Sequence, residues 1–257
     1  MPGMALVRSE RRGVVALIEL TRPESGNALS NRLIDELTRA VATPGAGARA
    51  LLLAGAGRHF CAGADLSELA LERAEEDRIA DAMRLAALYA ALLRSPLITV
   101  AAVHGAASGG GAGLAACCDL VIAGPAARIQ FSETRLGFVP ALISVFLPRR
   151  IAAARLARLF LDPEPLGAEA AREVGLVDEI ADDPVAAGVA RALDLTRKVA
   201  ASAVAETKRL LLESAIPALD ARLADAARVN ARQRAHPECR RGLAEFLETK
   251  QFPTWTE

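Results

Sequence analysis

The chain has 257 residues, enough for one large domain or one domain with an appendage, and 52% of them are hydrophobic, enough to bury a sizeable core. Lys+Arg and Asp+Glu both number 31, so the formal net charge is zero. A balanced chain of this kind does not read as a general nucleic-acid binder. The four cysteines are Cys61, Cys117, Cys118 and Cys239, and no two form a C-x-x-C pair. That spacing argues against a metal site or a disulfide framework and fits a reducing cytoplasm. The opening MPGMALVRSERRG has no apolar run of signal-peptide type.

In chain order, Val14–Thr21 reads as a strand. A Pro/Gly/Asn turn follows from Arg22 to Leu29, and Ser30 is a good N-cap for a helix over Asn31–Ala42. Ala48–Ala54 is a continuous apolar strand of the type buried on both faces, followed by a loop from Gly55 to Ser67. A long helix is expected over Leu71–Leu93 and a buried strand over Leu97–Val103. A short helix over Gly110–Cys117 and a strand over Leu120–Ala123 follow. The stretch Ser95–Cys118 carries no charge and has the length of a membrane span, but Pro96, His104 and five glycines break it. A strand, a glycine turn and a buried helix account for it, so no membrane association is expected. From Asp194 onward the pattern is helical, over Asp194–Ser214, Leu219–Ala235 and Pro237–Lys250. The fold class is therefore α/β with a largely parallel sheet. A core over residues 1–193 would precede a helical region over 194–257, whose Ala/Leu-rich faces suit packing against the core or another subunit.

Two turns rich in small residues each follow a buried strand: HFCAGADL, His59–Leu66, and HGAASGGGAGL, His104–Leu114. Small residues let a ligand approach the backbone, and free N–H groups near a helix start carry the positive end of its dipole. Two such groups converging on one point make an oxyanion hole. Glycine also permits tight strand–helix packing, and three glycines alone do not decide between the two uses. Phosphate cradling is disfavoured, because neither G-x-x-x-x-G-K-[ST] nor G-x-G-x-x-G occurs.

Taken together, RHFCAGADL, GAASGGGAGL followed by CCDL, and FSETRLGFVP resemble the crotonase superfamily of enoyl-CoA hydratases and isomerases. The turn RPESGNAL and the tail GLAEFLETKQFPTW extend the likeness over nearly the whole chain, and the motifs are similar to a bacterial methylglutaconyl-CoA hydratase branch. The resemblance implies a ββα spiral core and homo-oligomers, as trimers or dimers of trimers. The implied substrate is an acyl-CoA, whose own thioester makes a cofactor or metal unnecessary. It implies that the amides of Ala64 and Gly110 hold the thioester oxygen and that Glu133 transfers the proton. Ala28, Ala62, Asp65 and Leu66 would line the CoA arm, and Gly109 and Gly113 would also belong to the substrate-binding surface. Arg58 would stand near the CoA phosphates, although Glu24 lies where many relatives carry a basic residue. Phe246 and Lys250 would reach a neighbouring subunit's nucleotide.

One departure bears on the reaction. Hydratases of the family commonly use two glutamates, and the first of these positions is Gly113 here. One remaining carboxylate suits a 1,3-proton shift, hence an isomerase, whereas the motif likeness favours a hydratase. A non-catalytic acyl-CoA-binding protein is a third reading. A Clp-type serine hydrolase with Ser108 as nucleophile is a fourth, weakened because the next histidine after His104 is His236. Apart from its place in the motif, Glu133 reads as a surface glutamate beside Arg135. Asp65 reads as a helix cap, Asp119 as a turn anchor, and Arg149 and Arg150 as a solvated or inter-subunit pair.

Overall fold

The computed structural model describes residues 5–255; the outermost ends of both expected regions, 1–4 and 256–257, lie outside the described residues. Six strands form the main sheet in the order β1-β2-β3-β4-β6-β9. They are β1 (Val7–Arg12), β2 (Val15–Leu20), β3 (Ala50–Gly55), β4 (Ile98–Val103), β6 (Leu120–Ala123) and β9 (Glu179–Ile180). Every pairing is parallel except β1 with β2. A second sheet of three short strands has the order β5-β7-β8, with β5 (Ala106–Ser108), β7 (Arg128–Gln130) and β8 (Leu166–Gly167).

The all-apolar strands explain the layering. β3 and β4 are buried along their whole length, so alternate side chains enter two different cores. Leu51 and Leu53 face one cluster, while Ala50, Leu52 and Ala54 face the other. The first cluster lies under α1 (Asn31–Ala42) and the helices that follow β3 and β4. These are α2 (Leu66–Leu69), α3 (Glu75–Leu93), α4 (Gly110–Ala116) and α5 (Ala141–Phe146). Then come α6 (Ala153–Leu161), α7 (Ala168–Glu173), α8 (Pro184–Lys198), α9 (Ala201–Ala215), α10 (Leu219–Ala235) and α11 (Pro237–Thr249). The second cluster lies under α8, which supplies Ala192 and the partly buried Leu193 and Leu195.

The chain climbs as a spiral. Each turn runs from a main-sheet strand through a short extended piece to a helix. In one turn that piece is β5, in the next β7, and in the two earlier turns it shrinks to single bridges. Leu29 bridges Ala64, and Cys61 bridges Ala107. The loops after β3 and β4 are therefore stacked edge to edge, and this stacking positions the site.

The sequence expectations hold for the parallel sheet and for α1, where the Ser30 hydroxyl accepts a hydrogen bond from the Leu33 amide. Three differ. β1 was not expected, because VRSERR carries no apolar alternation; it is an exposed edge strand whose charges suit an edge. The helix expected from Leu71 starts at Glu75 instead. The carbonyls of Glu68, Leu69 and Leu71 are held by Arg234, which fixes that segment outside the helix. The single helix expected over Asp194–Ser214 is two helices broken at Val199, whose φ of −125° and ψ of 147° are extended. Arg197 and Lys198 close α8 favourably against its dipole, and α8 lies on the second cluster, to which α9 adds only the partly buried Val204.

Candidate active site

The loop after β3 and the turn before α4 meet at Gly63 and Gly109. Gly63 has φ of +95°, and a Cβ there would lie 2.6 Å from the Ser108 carbonyl oxygen and 3.6 Å from the Gly110 nitrogen. Gly109 has φ of +49°, and its amide donates to the Gln130 carbonyl. Only glycine takes these conformations without strain and allows this approach. In the parallel bridge of Leu29 with Ala64, Leu29 donates to the Gly63 carbonyl and Asp65 donates to the Leu29 carbonyl. The Ala64 amide is left out of that pairing. Gly110 is the first residue of α4 and so has no acceptor within the helix. Among the described residues, neither the Ala64 nor the Gly110 amide donates a hydrogen bond.

Glu133 opens a 3-10 turn, Glu133–Leu136, that follows β7 and ends at Gly137 in the left-handed region. Its carboxylate is buried, and one oxygen lies 3.2 Å from where a Cβ on Gly109 would stand. Its Oε2 has no hydrogen-bond partner among the described residues. Burial pushes the Glu133 carboxyl from an ordinary 4.5 up to about 7, offset only by its own amide. The surface, ion-pairing reading of this glutamate is therefore wrong: among the described residues no cation pairs with it. Placed next to two unused amides, a carboxyl poised near neutrality can give and take protons.

These groups line one cavity of about 570 Å³. Ala28, Ala62, Ala64, Asp65, Leu66, Gly109, Gly110, Phe246 and Lys250 line it with Glu133. Arg58 and Gly113 do not. Arg58 is exposed on the loop after β3. Gly113 is buried behind the wall, where an added Cβ would lie 2.8 Å from the Tyr89 hydroxyl and 2.9 Å from Ile143 Cγ1. Tyr89 and Ile143 thus fill the space that a side chain at position 113 would need. Phe246 and Lys250, expected to reach a neighbouring subunit, line the cavity of their own chain. The tail folds back because Phe252 packs on Phe246 and under the Arg135 guanidinium, 3.9 Å from the ring centre. Trp255 Nε1 also donates to the Arg135 carbonyl.

Asp65 caps α2 by accepting from the Ser67 amide and hydroxyl, and it pairs with Arg22 at 2.6 Å. Burial raises its carboxyl, but Ser67 and Arg22 outweigh that and hold it below its usual value. Asp119 anchors Thr99 and Lys208. Arg149 and Arg150 are partly buried rather than solvated: they donate to the carbonyls of Cys117 and Cys118 at the end of α4. His59 accepts from the Ala106 amide and His104 contacts the Gly57 carbonyl, so neither is a base for Ser108. Among the described residues, no group of three or more His, Cys, Asp or Glu is arranged to hold a metal. Also among them, no helix is long and apolar enough to cross a membrane.

Sequence reasoning did not single out Arg22, Tyr89 or Asn230, all of which line the cavity. The Tyr89 hydroxyl donates to the Gly110 carbonyl at 2.9 Å, bracing the turn that bears the free amide. Tyr89 lies in α3, and a lone tyrosine among Ala and Leu was the available signal. Asn230 and Arg22 left no comparable mark.

A spiral α/β fold with paired loop amides over a buried carboxylate defines a class of thioester-handling proteins, and the comparisons agree with it. The Enoyl-CoA hydratase/isomerase family profile matches residues 10–257. A Rhodobacter capsulatus protein named "Probable enoyl-CoA hydratase" is 36% identical over 253 residues, covering 97% of each chain. A solved enoyl-CoA hydratase from Mycobacterium avium superposes with a TM-score of 0.86 at 33% identity, covering 99% of this chain and 100% of the other. One from Shewanella pealeana gives 0.77 at 32% identity, over 98% and 96%. The chain belongs to the enoyl-CoA hydratase/isomerase family, and its fold is the crotonase type.

Proposed function

We propose that this protein hydrates a 2-enoyl-CoA. The amides of Ala64 and Gly110 hold the thioester oxygen, and Glu133 is the catalytic acid and base. The observation that carries the reading is the buried, unpaired Glu133 carboxylate beside two unused amides in one cavity. The thioester oxygen gains charge as water adds to Cβ. Two N–H groups aimed at it stabilise that charge, and removing one such donor typically costs about 10²–10³-fold in rate. Glu133 takes a proton from the water as its oxygen bonds to Cβ. It then returns a proton to Cα as the enolate collapses. Bond and proton counts balance, and the CoA thioester itself is the electron sink, so no other cofactor takes part. Ala28, Ala62, Asp65 and Leu66 flank the CoA arm, with Phe246 and Lys250 over it.

A second reading has its own support. Tyr89 and Ile143 occupy the room a second glutamate at position 113 would need, so a single carboxylate serves the site. One carboxylate is sufficient for moving a proton from C2 to C4 of a 3-enoyl-CoA, which is the isomerase reaction. Glu133→Gln tests both readings. It should slow turnover by roughly 10²–10⁴-fold and leave the affinity for an acyl-CoA nearly unchanged. Near-normal turnover in that variant would remove Glu133 from the chemistry.

A further inference from the structure

The cavity runs from an exposed mouth to a buried inner end. Ala62, Ser67 and Lys250 at the mouth are exposed, whereas Tyr89, Leu142 and Ile143 are buried. Next to Ala64, the walls Leu69, Leu85, Phe138 and Leu142 are shared with a second space of about 70 Å³. That space adjoins the cavity across these residues and has room for a few non-hydrogen atoms. Its far wall is polar. Asp65, Glu68 and Asp81 line it against one cation, Arg234.

The Arg234 guanidinium is already engaged. It donates to the Leu69 carbonyl at 2.7 Å, the Glu68 carbonyl at 2.8 Å and the Asp81 carboxylate at 2.9 Å. Arg73 and Arg84 stand 3.6 and 3.5 Å from the Asp81 carboxylate. Asn31 donates to Glu68 from its backbone and to Asp81 from its side chain. Asn230, on α10, lines both the cavity and its extension. No hydrogen bond joins its side-chain amide to any described residue. An acyl group entering here would be enclosed by apolar walls, one free neutral amide and carboxylates that are already paired. A terminal carboxylate on that group would be desolvated with no free cation among the residues lining that space, since Arg22 holds Asp65 and Arg234, Arg73 and Arg84 hold Asp81, a costly arrangement.

We propose that the acyl group of the substrate is uncharged and ends against Asn230, which is the specificity-determining residue that hydrogen-bonds a neutral polar terminus such as a hydroxyl. This rests on the acyl-CoA reading of the cavity but needs no turnover to be tested. The test is titration calorimetry of the full-length protein with hexanoyl-CoA, 6-hydroxyhexanoyl-CoA and adipyl-CoA, which share one chain length and differ at the terminus. The native protein should bind the methyl and hydroxyl termini within about tenfold of each other and the carboxylate terminus at least 100-fold more weakly. Asn230→Leu should tighten hexanoyl-CoA and weaken 6-hydroxyhexanoyl-CoA by about tenfold. Asn230→Lys should recover adipyl-CoA binding. Equal binding of adipyl-CoA by the native protein would overturn the inference while leaving the acyl-CoA reading intact. So would an unchanged hydroxyl-to-methyl ratio in Asn230→Leu. Absence of binding by all three esters would overturn both.

Discussion

Glu133 couples stability to reactivity. Its carboxyl sits at about 7 rather than 4.5 because it is buried without a partner. The folded protein therefore holds this proton more tightly than the unfolded chain. The resulting stabilisation is fully present below about pH 4.5 and is lost as pH rises through about 7. The shift corresponds to roughly 3 kcal/mol. Glu133→Gln removes the titration, so it should be more stable than the native protein by up to about that amount at pH 8 and little different at pH 4.5. Thermal unfolding of both proteins across that range checks the sign. The proposed function makes Glu133 a base that must be ionised, so it predicts that kcat/KM for the native protein rises between pH 6 and 8. At the amides, Ala64→Pro deletes an N–H and should lower kcat by about 10²–10³-fold with CoA-ester affinity retained.

At the scale of elements, the spiral brings the loops together. The α4 turn approaches so closely that a Cβ on Gly111 would lie 2.3 Å from the Cys61 carbonyl oxygen. Behind α4, Gly113→Glu should destabilise the fold rather than restore a second acid, because Tyr89 and Ile143 already occupy that space. Unfolding in urea reads this directly. The wall of the cavity depends on a distant pair, Arg234 of α10 with Asp81 of α3, whose side chains are 3% and 11% exposed. Arg234→Ala leaves Asp81 with only the more distant Arg73 and Arg84 and frees the Glu68, Leu69 and Leu71 carbonyls, at a cost of about 1–3 kcal/mol. The strands and α1 were legible because burial on both faces and an N-cap leave local marks. The second sheet was not, because β5, β7 and β8 are two or three residues long and exist only through neighbours. The Arg234–Asp81 pair joins residues 153 positions apart, and no local pattern marks it.

In the whole molecule, the candidate site is made where distant parts of the chain converge. The two loops were legible because runs of small residues stand out in a sequence, whereas Ala64 and Gly110 were singled out within them only through the motif. Glu133 was legible only through its motif, since its neighbours alone suggested a surface ion pair. Asn230 was not legible, because its place follows from how α10 crosses α3 and α5. Leu210 and Leu211 on α9 are 53% and 65% exposed, an apolar face of that helix. We propose that this face is covered in a homo-oligomer, a trimer or a dimer of trimers. Light scattering should give three or six times the chain mass, and a monomer at micromolar concentration would remove that proposal.

The measurement closest to the centre of this account is mass spectrometry of products after separate incubation with a short 2-enoyl-CoA and a 3-enoyl-CoA. The hydratase reading predicts that the 2-enoyl ester gains the mass of one water. Conversion of the 3-enoyl to the 2-enoyl ester with no water gained would transfer the same residues to the isomerase. Both esters bound and unchanged would contradict Glu133 as an acid and base poised over a polarised thioester.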